Sequence, residues 1–471
     1  MYPYTHPARL EALGRLFGLD PAPAEACRIV ELGCGDGGNA IAIAQTLPQA
    51  QVLGVDLSPS AVERGRALAA AAGLRNVELL ACDLADLGAL GDLGPVDYLL
   101  AHGVYSWIPP TARGALLECC RRFLAPIGIA FVSYNAYPGS YLRDMARDIL
   151  EFHLQGVSAP GERVERAHEL MASIIAVEDP SPYASVLREH LQRMLNAPDV
   201  LLVHDDLAAV STPFYFHEFI EHAAAHGLQF LCEAELADSQ MRDVPESVGE
   251  LIASLPDDVM VREQYFDFFS NRMFRQTLLI RTEVSLQRTV EDRHLEGMVL
   301  ASPLTRTEEG FVSPAGTVMR TSGPLVAAAM DELSGRWPEW LSFAELAERA
   351  RRQIDAEPLA PESWEGLRRV MLEAFLARMV LIQGCPTPPV AEATVRPLAS
   401  PLARAQCREG RTVLSTLVPS NHSLEKESER RLLTLLDGTR DRSELAGELG
   451  ESPTVVEAAL SQLARDGLLL R

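Results

Sequence analysis

The sequence predicts a doubly wound α/β sheet with a helical insertion, followed by winged-helix-like α+β modules. Three observations predict it. Strand-like and helix-like patterns alternate over residues 28–134. A glycine-rich turn, "GCGDGG" from Gly33 to Gly38, follows the first apolar run and opens a helical pattern. Past residue 290 the texture changes, and two stretches repeat the order helix, turn, helix, longer helix, short strand.

The elements follow in order. "RIVELG" reads as a strand ending at Gly33, and "GNAIAIAQTL" as a helix stopped before Pro48. "QVLGVDL" is a buried strand. In "SPSAVERGRALAAAAG", Ser58 stands as N-cap, Pro59 opens the helix and Gly73 ends it. "NVELLACD" and "VDYLLAHG" are strands, "TARGALLECCRRFL" is a helix and "IGIAFVSY" a fifth strand. Alternation at this spacing means a parallel, Rossmann-like sheet. Residues 140–200 read as a helical insertion. Two later strands, "LQFLCEAEL" and "RQTLLIRTE", are expected to complete a seven-stranded sheet as antiparallel neighbours at one edge. The first domain therefore spans 1–285, with residues 200–285 finishing its sheet, and a chain ending near Val284 is expected to fold. A winged-helix-like middle domain is expected at 290–384, a Pro-rich linker at 385–410 and a second winged-helix-like domain at 411–471.

Composition narrows the function. A formal net charge of -23 disfavours nucleic acid as a partner, and "SPTVVEAALSQLARDG" carries one arginine against two acids where a DNA reader would cluster cations. The start "MYPYTHPARL" has neither the basic nor the apolar stretch of a secretory leader, and no run approaches the roughly 20 apolar residues of a membrane span. Eight cysteines are scattered without zinc or redox spacing, which predicts a reduced, cytoplasmic chain without a metal.

"GCGDGG" satisfies GxGxxG, and its place between strand and helix lets backbone approach a ligand closely. An NAD site would put a pyrophosphate there. The acids point instead to S-adenosylmethionine (SAM), which has no phosphate. Glu31 lies near the place of the methionine amino group. Asp56 ends the second strand, where it can accept from both ribose hydroxyls. Asp83 ends the third, where an adenine amine would lie. Acids at strand ends also cap helices, and Asp36 suits that use. In a doubly wound sheet the cleft lies outside the carboxyl ends of the strands. "AHGVYSWIPP" therefore brings His102, Gly103, Tyr105 and Trp107 beside the cofactor, and "SYNAYPGS" adds Tyr134, Asn135 and Tyr137. These aromatics either shape an acceptor pocket or pack against the insertion. His217 and His222 are five residues apart and do not share a helix face closely.

"LGCGDGGN", "GVDLS", "AHGVYSWIP" and "SYNAYPG" in series resemble the bacterial class I SAM-dependent methyltransferases with a methyltransferase regulatory domain. That family includes rickettsial protein-lysine methyltransferases that modify an outer-membrane protein. "VHDDLAAVSTPFYFHEFIEHAAAHGLQFLCEAEL" and "EQYFDFFSNRMFRQTLL" resemble its regulatory region, and "SERRLLTLLDGTRDRSEL" its C-terminal segment. The chain departs from the family pattern at Ser140, where a bulky aromatic is usual, and at its shorter N-terminus. The resemblance implies a methyltransferase sheet, SAM as cofactor, S-adenosylhomocysteine (AdoHcy) as product, and a protein substrate, an outer-membrane protein before export among the candidates. A homodimer is a further expectation. The cofactor site is expected to comprise Glu31, Gly33, Cys34, Gly35, Asn39, Asp56, Leu57, Cys82, Asp83, His102 and Gly103. The acceptor side is expected to comprise His102, Tyr105, Trp107, Tyr134, Asn135 and Tyr137, with Tyr105 or His102 as base. Alternatives are a small-molecule O- or N-methyltransferase, a non-catalytic SAM-binding scaffold and a nicotinamide oxidoreductase.

Overall fold

A computed structural model describes residues 1–86, 90–91, 93–239, 245–321 and 323–470. Seven strands form the main sheet: β1 (Arg28–Leu32), β2 (Gln51–Asp56), β3 (Val77–Ala81), β4 (Val96–Ala101), β5 (Leu124–Asn135), β6 (Leu228–Glu233) and β7 (Phe274–Arg281). Their order is β3-β2-β1-β4-β5-β7-β6. The first five pair in parallel, whereas β7 runs antiparallel to both β5 and β6. The two late strands thus close one edge, as the sequence predicts. Strand order reverses between β1 and β4, so a cleft opens at their carboxyl ends.

Both faces of the sheet are buried, and alternation decides which residue faces which layer. Ile29, Tyr98, Leu100, Phe131 and Leu278 point into one apolar cluster. Their neighbours Val30, Leu99, Val132 and Leu279 point into another, under the helices Pro110–Phe123 and Phe216–Ala225. At the β6–β7 edge the fully buried Arg275 bonds Asp267 at 2.8 Å and Glu233 at 2.8 Å, so its charge is compensated.

The insertion consists of helices Ser140–His153, Pro160–Ile175 and Pro182–Leu195, packed around their own core. The middle module sets helices Pro324–Arg336, Phe343–Gln353 and Pro361–Leu376 on a sheet of three short strands centred on Val299–Ala301. It is not separate in packing. Leu300, Leu346 and Met371 share one buried cluster with Leu10, Ile41 and Phe131 of the first domain.

The stretch 385–410 is not a plain linker. Leu398–Ala399 pairs with Leu469–Leu470, and Pro401–Arg408 is a helix. Ser400 caps that helix, its Oγ accepting the Ala403 amide at 3.0 Å, with Pro401 in the first turn. The prolines that read as linker open an element instead. This helix docks on the first domain, where Gln45 Oε1 accepts from Ser400 Oγ and the Leu402 amide, each at 2.8 Å.

Candidate active site

The glycine turn is built for close approach. Gly33, Gly35 and Gly37 adopt φ of 70°, 59° and 71°, which side chains rarely tolerate. A Cβ on Gly37 would lie 2.7 Å from Leu79, whereas one on Gly35 would meet no protein atom within 4 Å. Gly37 is thus a packing glycine, and Gly35 leaves space for a ligand. Gly103, at φ 64°, is likewise open, with its amide held by Ser133 Oγ at 2.8 Å. Asp56 Oδ2 accepts the Gly35 amide at 2.8 Å and its Oδ1 the Ser58 amide at 2.9 Å, which fixes the turn to the end of β2.

A cavity of about 990 Å³ opens over the carboxyl ends of β1 and β4. Of the residues expected from sequence, Glu31, Gly33, Cys34, Gly35, Asn39, His102, Gly103, Trp107 and Asn135 line it. Glu31 is 4% exposed, and burial pushes its carboxyl up to about 7. Its Oε1 accepts from Asn39 Nδ2 at 3.0 Å, while Oε2 makes no hydrogen bond. His102 stacks on Tyr2 with ring centroids 3.7 Å apart, and burial lowers it to about 4. It is therefore neutral near pH 7 and a weak base.

Other expected residues lie elsewhere. Leu57 is 70% exposed, and Asp83 caps the turn after β3, accepting the Ala85 amide at 2.9 Å. Cys82 donates its amide to Asp56 O at 2.9 Å, so it flanks Asp56 outside the main cavity. Tyr105 and Tyr134 do not line the cavity: they are buried among Phe214 and Phe219 in the second apolar cluster. Tyr105 Oη bonds His222 Nδ1 at 2.5 Å, and burial pushes its phenol far up. The tight turn from Val104 to Trp107 sends Tyr105 inward and leaves Trp107 at the cleft. Tyr137 donates to Asp144 Oδ2 at 2.8 Å and stacks on Tyr141. His217 bonds Gln264, so neither it nor His222 reaches the cavity. Among the described residues no His, Cys, Asp and Glu group is arranged to hold a metal.

Sequence reasoning missed Tyr2, Arg143, His204, Asp205, Phe274 and Asn421, all of which line the cavity. Arg143 belongs to the insertion, His204 and Asp205 to a π-helical turn (Leu202–Asp206), and Asn421 to the C-terminal module. Two quoted stretches carried some of them: "VHDDL" holds His204 and Asp205, and "NRMFRQTLL" holds Phe274.

Comparison with known proteins agrees with this fold. Residues 29–128 match the Methyltransferase domain family, 198–281 the Predicted methyltransferase regulatory domain and 396–468 the PKMT, C-terminal winged helix domain. The uncharacterized protein RP028 of Rickettsia prowazekii is 36% identical over 224 residues, which are 47% of this chain and 89% of RP028. The chain belongs to the SAM-dependent methyltransferases. A second relative, RP789 of the same organism, is 34% identical over 62% of this chain, and the chain spans about half of it, 53%. The solved structure of PKMT2 from Rickettsia typhi superposes with a TM-score of 0.87 at 25% identity, covering 100% of this chain and 99% of that one. The same fold is seen for PKMT2 in complex with AdoHcy, at TM-score 0.87 and 24% identity, over 99% of this methyltransferase and 98% of that chain.

The cavity of this methyltransferase fits SAM. Glu31 Oε2 is a buried acceptor without a donor, suited to the cationic amino group of the cofactor. Gly35 and Gly103 leave their backbone open to the ligand. No helix among the described residues is long and apolar enough to cross a membrane.

Proposed function

We propose that this chain transfers the methyl group of SAM to a lysine side chain of a protein. The observation that carries the reading is that Asp205 lines the same cavity as the aromatic rings of Tyr2, Trp107 and Phe274. That lining suits a cationic amine on a long apolar stem. The arginine in the same wall, Arg143, is paired with Asp206 at 3.2 Å and does not offer itself to a carboxylate acceptor. The likeness to PKMT2 over the whole chain supports the same class of acceptor. We further propose, from the resemblance, that the substrate is an outer-membrane protein met in the cytoplasm before export, and, from the winged-helix-like modules, that the chain forms a homodimer.

The chain's residues divide the work. Glu31 would receive the amino group in the cavity, and Asp56 and Asp83, which stand beyond it at the end of β2 and after β3, the ribose hydroxyls and the adenine amine. Bound there, SAM supplies an electrophilic methyl carbon on a sulfonium. The acceptor must arrive as a neutral amine, and at neutral pH deprotonating a free lysine costs about 4–5 kcal/mol. Tyr2, Trp107 and Phe274 exclude water from the amine and reduce that cost. His204, next to Asp205 in the cavity wall, takes the proton. His102, neutral and stacked on Tyr2, fixes the wall rather than serving as base.

Incubation of labelled SAM with a bacterial lysate tests the reading. Label in protein bands, mapped to lysine by mass spectrometry, supports it. Label confined to the small-molecule fraction supports a small-molecule O- or N-methyltransferase, and no transfer supports a scaffold. In calorimetry Asp56→Ala is expected to weaken AdoHcy about 10- to 100-fold, the worth of a charged hydrogen-bonding group.

A further inference from the structure

The helix Ser140–His153 presents Arg143 and Arg147 on one face, four residues apart. Arg147 is 6% exposed and spends its guanidinium on the turn that follows the insertion. Its Nη1 donates to the carbonyls of Asp205 and Asp206, each at 2.8 Å, and its Nη2 to that of Ala208 at 2.7 Å. A buried cation thus clamps a π-helical turn, a conformation that costs energy and recurs at functional sites. The clamp holds the Asp205 side chain at the cavity.

Arg143 then faces two carboxylates with one charge. Its Nε lies 3.2 Å from Asp206 Oδ1, a close pair, and its Nη2 lies 3.8 Å from Asp205 Oδ2, a loose one. Asp206 is buried, with a side chain 9% exposed, whereas that of Asp205 is 35% exposed. Arg147 is itself paired with Glu151 at 3.2 Å, so two cations face three carboxylates; one negative charge is left over, and it falls on Asp205, which lines the cavity. Asn135, 3% exposed, lines the same wall with its Nδ2 unpartnered. The wall therefore holds an unbalanced acid and an unused buried donor, both beside Arg143, whose Nη1 donates to Asn135 Oδ1 at 3.5 Å.

We propose that Asp205, with Arg143 beside it, forms a cation subsite that seats the ammonium of the incoming lysine before it loses its proton. This rests on the reading of the chain as a lysine methyltransferase. Arg143 acts as a resident counter-ion: it holds Asp206 permanently and yields Asp205 to the substrate. The backbone of the peptide then has Asn135 Nδ2 as a donor for one carbonyl. The subsite selects for a long, positively charged side chain at the moment of entry, and the proton leaves from there to His204 or to solvent.

Initial-rate kinetics with poly-L-lysine as acceptor test the proposal. Asp205→Asn is expected to raise the KM for poly-L-lysine at least tenfold, to leave the Kd for AdoHcy within twofold, and to flatten the dependence of KM on salt. Glu451→Gln, at an exposed acid that does not line the cavity, removes the same unit of charge and serves as control. Arg143→Gln removes the competing counter-ion and is expected to lower KM at least threefold below wild type, an effect in the opposite direction. A KM for Asp205→Asn within twofold of that for Glu451→Gln overturns the subsite, as does an Arg143→Gln enzyme that folds, binds AdoHcy and has a raised KM. Wild-type enzyme that methylates no lysine in poly-L-lysine or lysate overturns the underlying reading, and the subsite with it.

Discussion

Arg411 of the C-terminal module reaches 3.4 Å from Asp36 in the glycine turn of the first domain. The two residues are 375 positions apart in sequence. Asn421, from the same module, enters the cofactor cavity itself. A module that reads as an appendage is therefore part of the wall around the ligand.

This contact yields a graded expectation. The Arg411–Asp36 pair is about one-third exposed on both sides, so water screens it. Arg411→Ala is expected to weaken AdoHcy less than about fivefold, in keeping with an exposed pair worth up to about 1 kcal/mol. Asn421→Ala removes a cavity-lining amide and is expected to cost more. Calorimetry on the two full-length variants checks the order, and equal, undetectable effects would show that the module closes over the cleft without touching the ligand.

Glu31 supplies a pH dependence whose sign follows from burial. Its carboxyl is pushed up to about 7 by desolvation, against about 4.3 in an unfolded chain. The folded state therefore holds a proton that the unfolded state has released between those two values. That difference costs stability progressively as pH rises from about 4.3 to 7, and the cost stays constant above. A cationic ligand amine favours the ionised form, so AdoHcy binding at pH 6 is expected to release a proton and its affinity to rise from pH 5.5 to 8. Titrations in two buffers of different ionisation enthalpy measure that release. Glu31→Gln is expected to bind more weakly, to release no proton and to melt higher than wild type at pH 8 relative to pH 4.5.

The sheet was legible because its signals are local. Alternating apolar runs, the Ser58 cap with Pro59, and the glycine turn each declare themselves within a few residues, and β6 and β7 followed from apolar character alone. Part of the cavity wall was legible for the same reason: Glu31 and Gly35 sit at fixed offsets from the end of β1, and both line it. The rest of the wall was not. Arg143, Asp205 and Asn421 come from the insertion, a π-helical turn and a distant module, and only tertiary packing brings them to one cavity. Tyr105 misled for the opposite reason. It sits in a motif at the right strand end, but a turn reverses its side chain into the core.

Tyr105 gives a sharp test of that reversal. Tyr105→Phe removes the hydrogen bond to His222 inside an apolar cluster and leaves the ring contacts with Phe214 and Phe219. The expected loss is about 1 kcal/mol of stability. Methyl transfer at a temperature well below unfolding is expected to stay within twofold of wild type, whereas Trp107→Ala, at the cavity wall, is expected to lower kcat/KM at least tenfold. A large drop in kcat for Tyr105→Phe with an unchanged melting temperature would return Tyr105 to the chemistry.

The continuous core makes a prediction about truncation that the sequence alone points away from. A chain ending at Val284 keeps all seven strands, so it retains every backbone pairing of the main sheet. It does not keep the core. The helix Pro7–Leu16 packs on the middle-module strand Leu381–Gln383, where the Gly384 amide donates to Ala8 O at 2.7 Å. Leu10, Leu13 and Leu16 are fully buried in a cluster that also holds Leu300, Phe343, Leu346 and Met371. Removing the middle module uncovers a broad apolar face on that helix, and such a face drives association. The truncated chain is expected to aggregate, or to elute as oligomers and bind a hydrophobic dye. A chain ending at residue 384 restores that face and is expected to be monodisperse by comparison, with weakened AdoHcy binding through the loss of Arg411 and Asn421. If the chain ending at Val284 instead melts cooperatively as a soluble species, the first domain is self-sufficient and the shared core is an adornment of its surface.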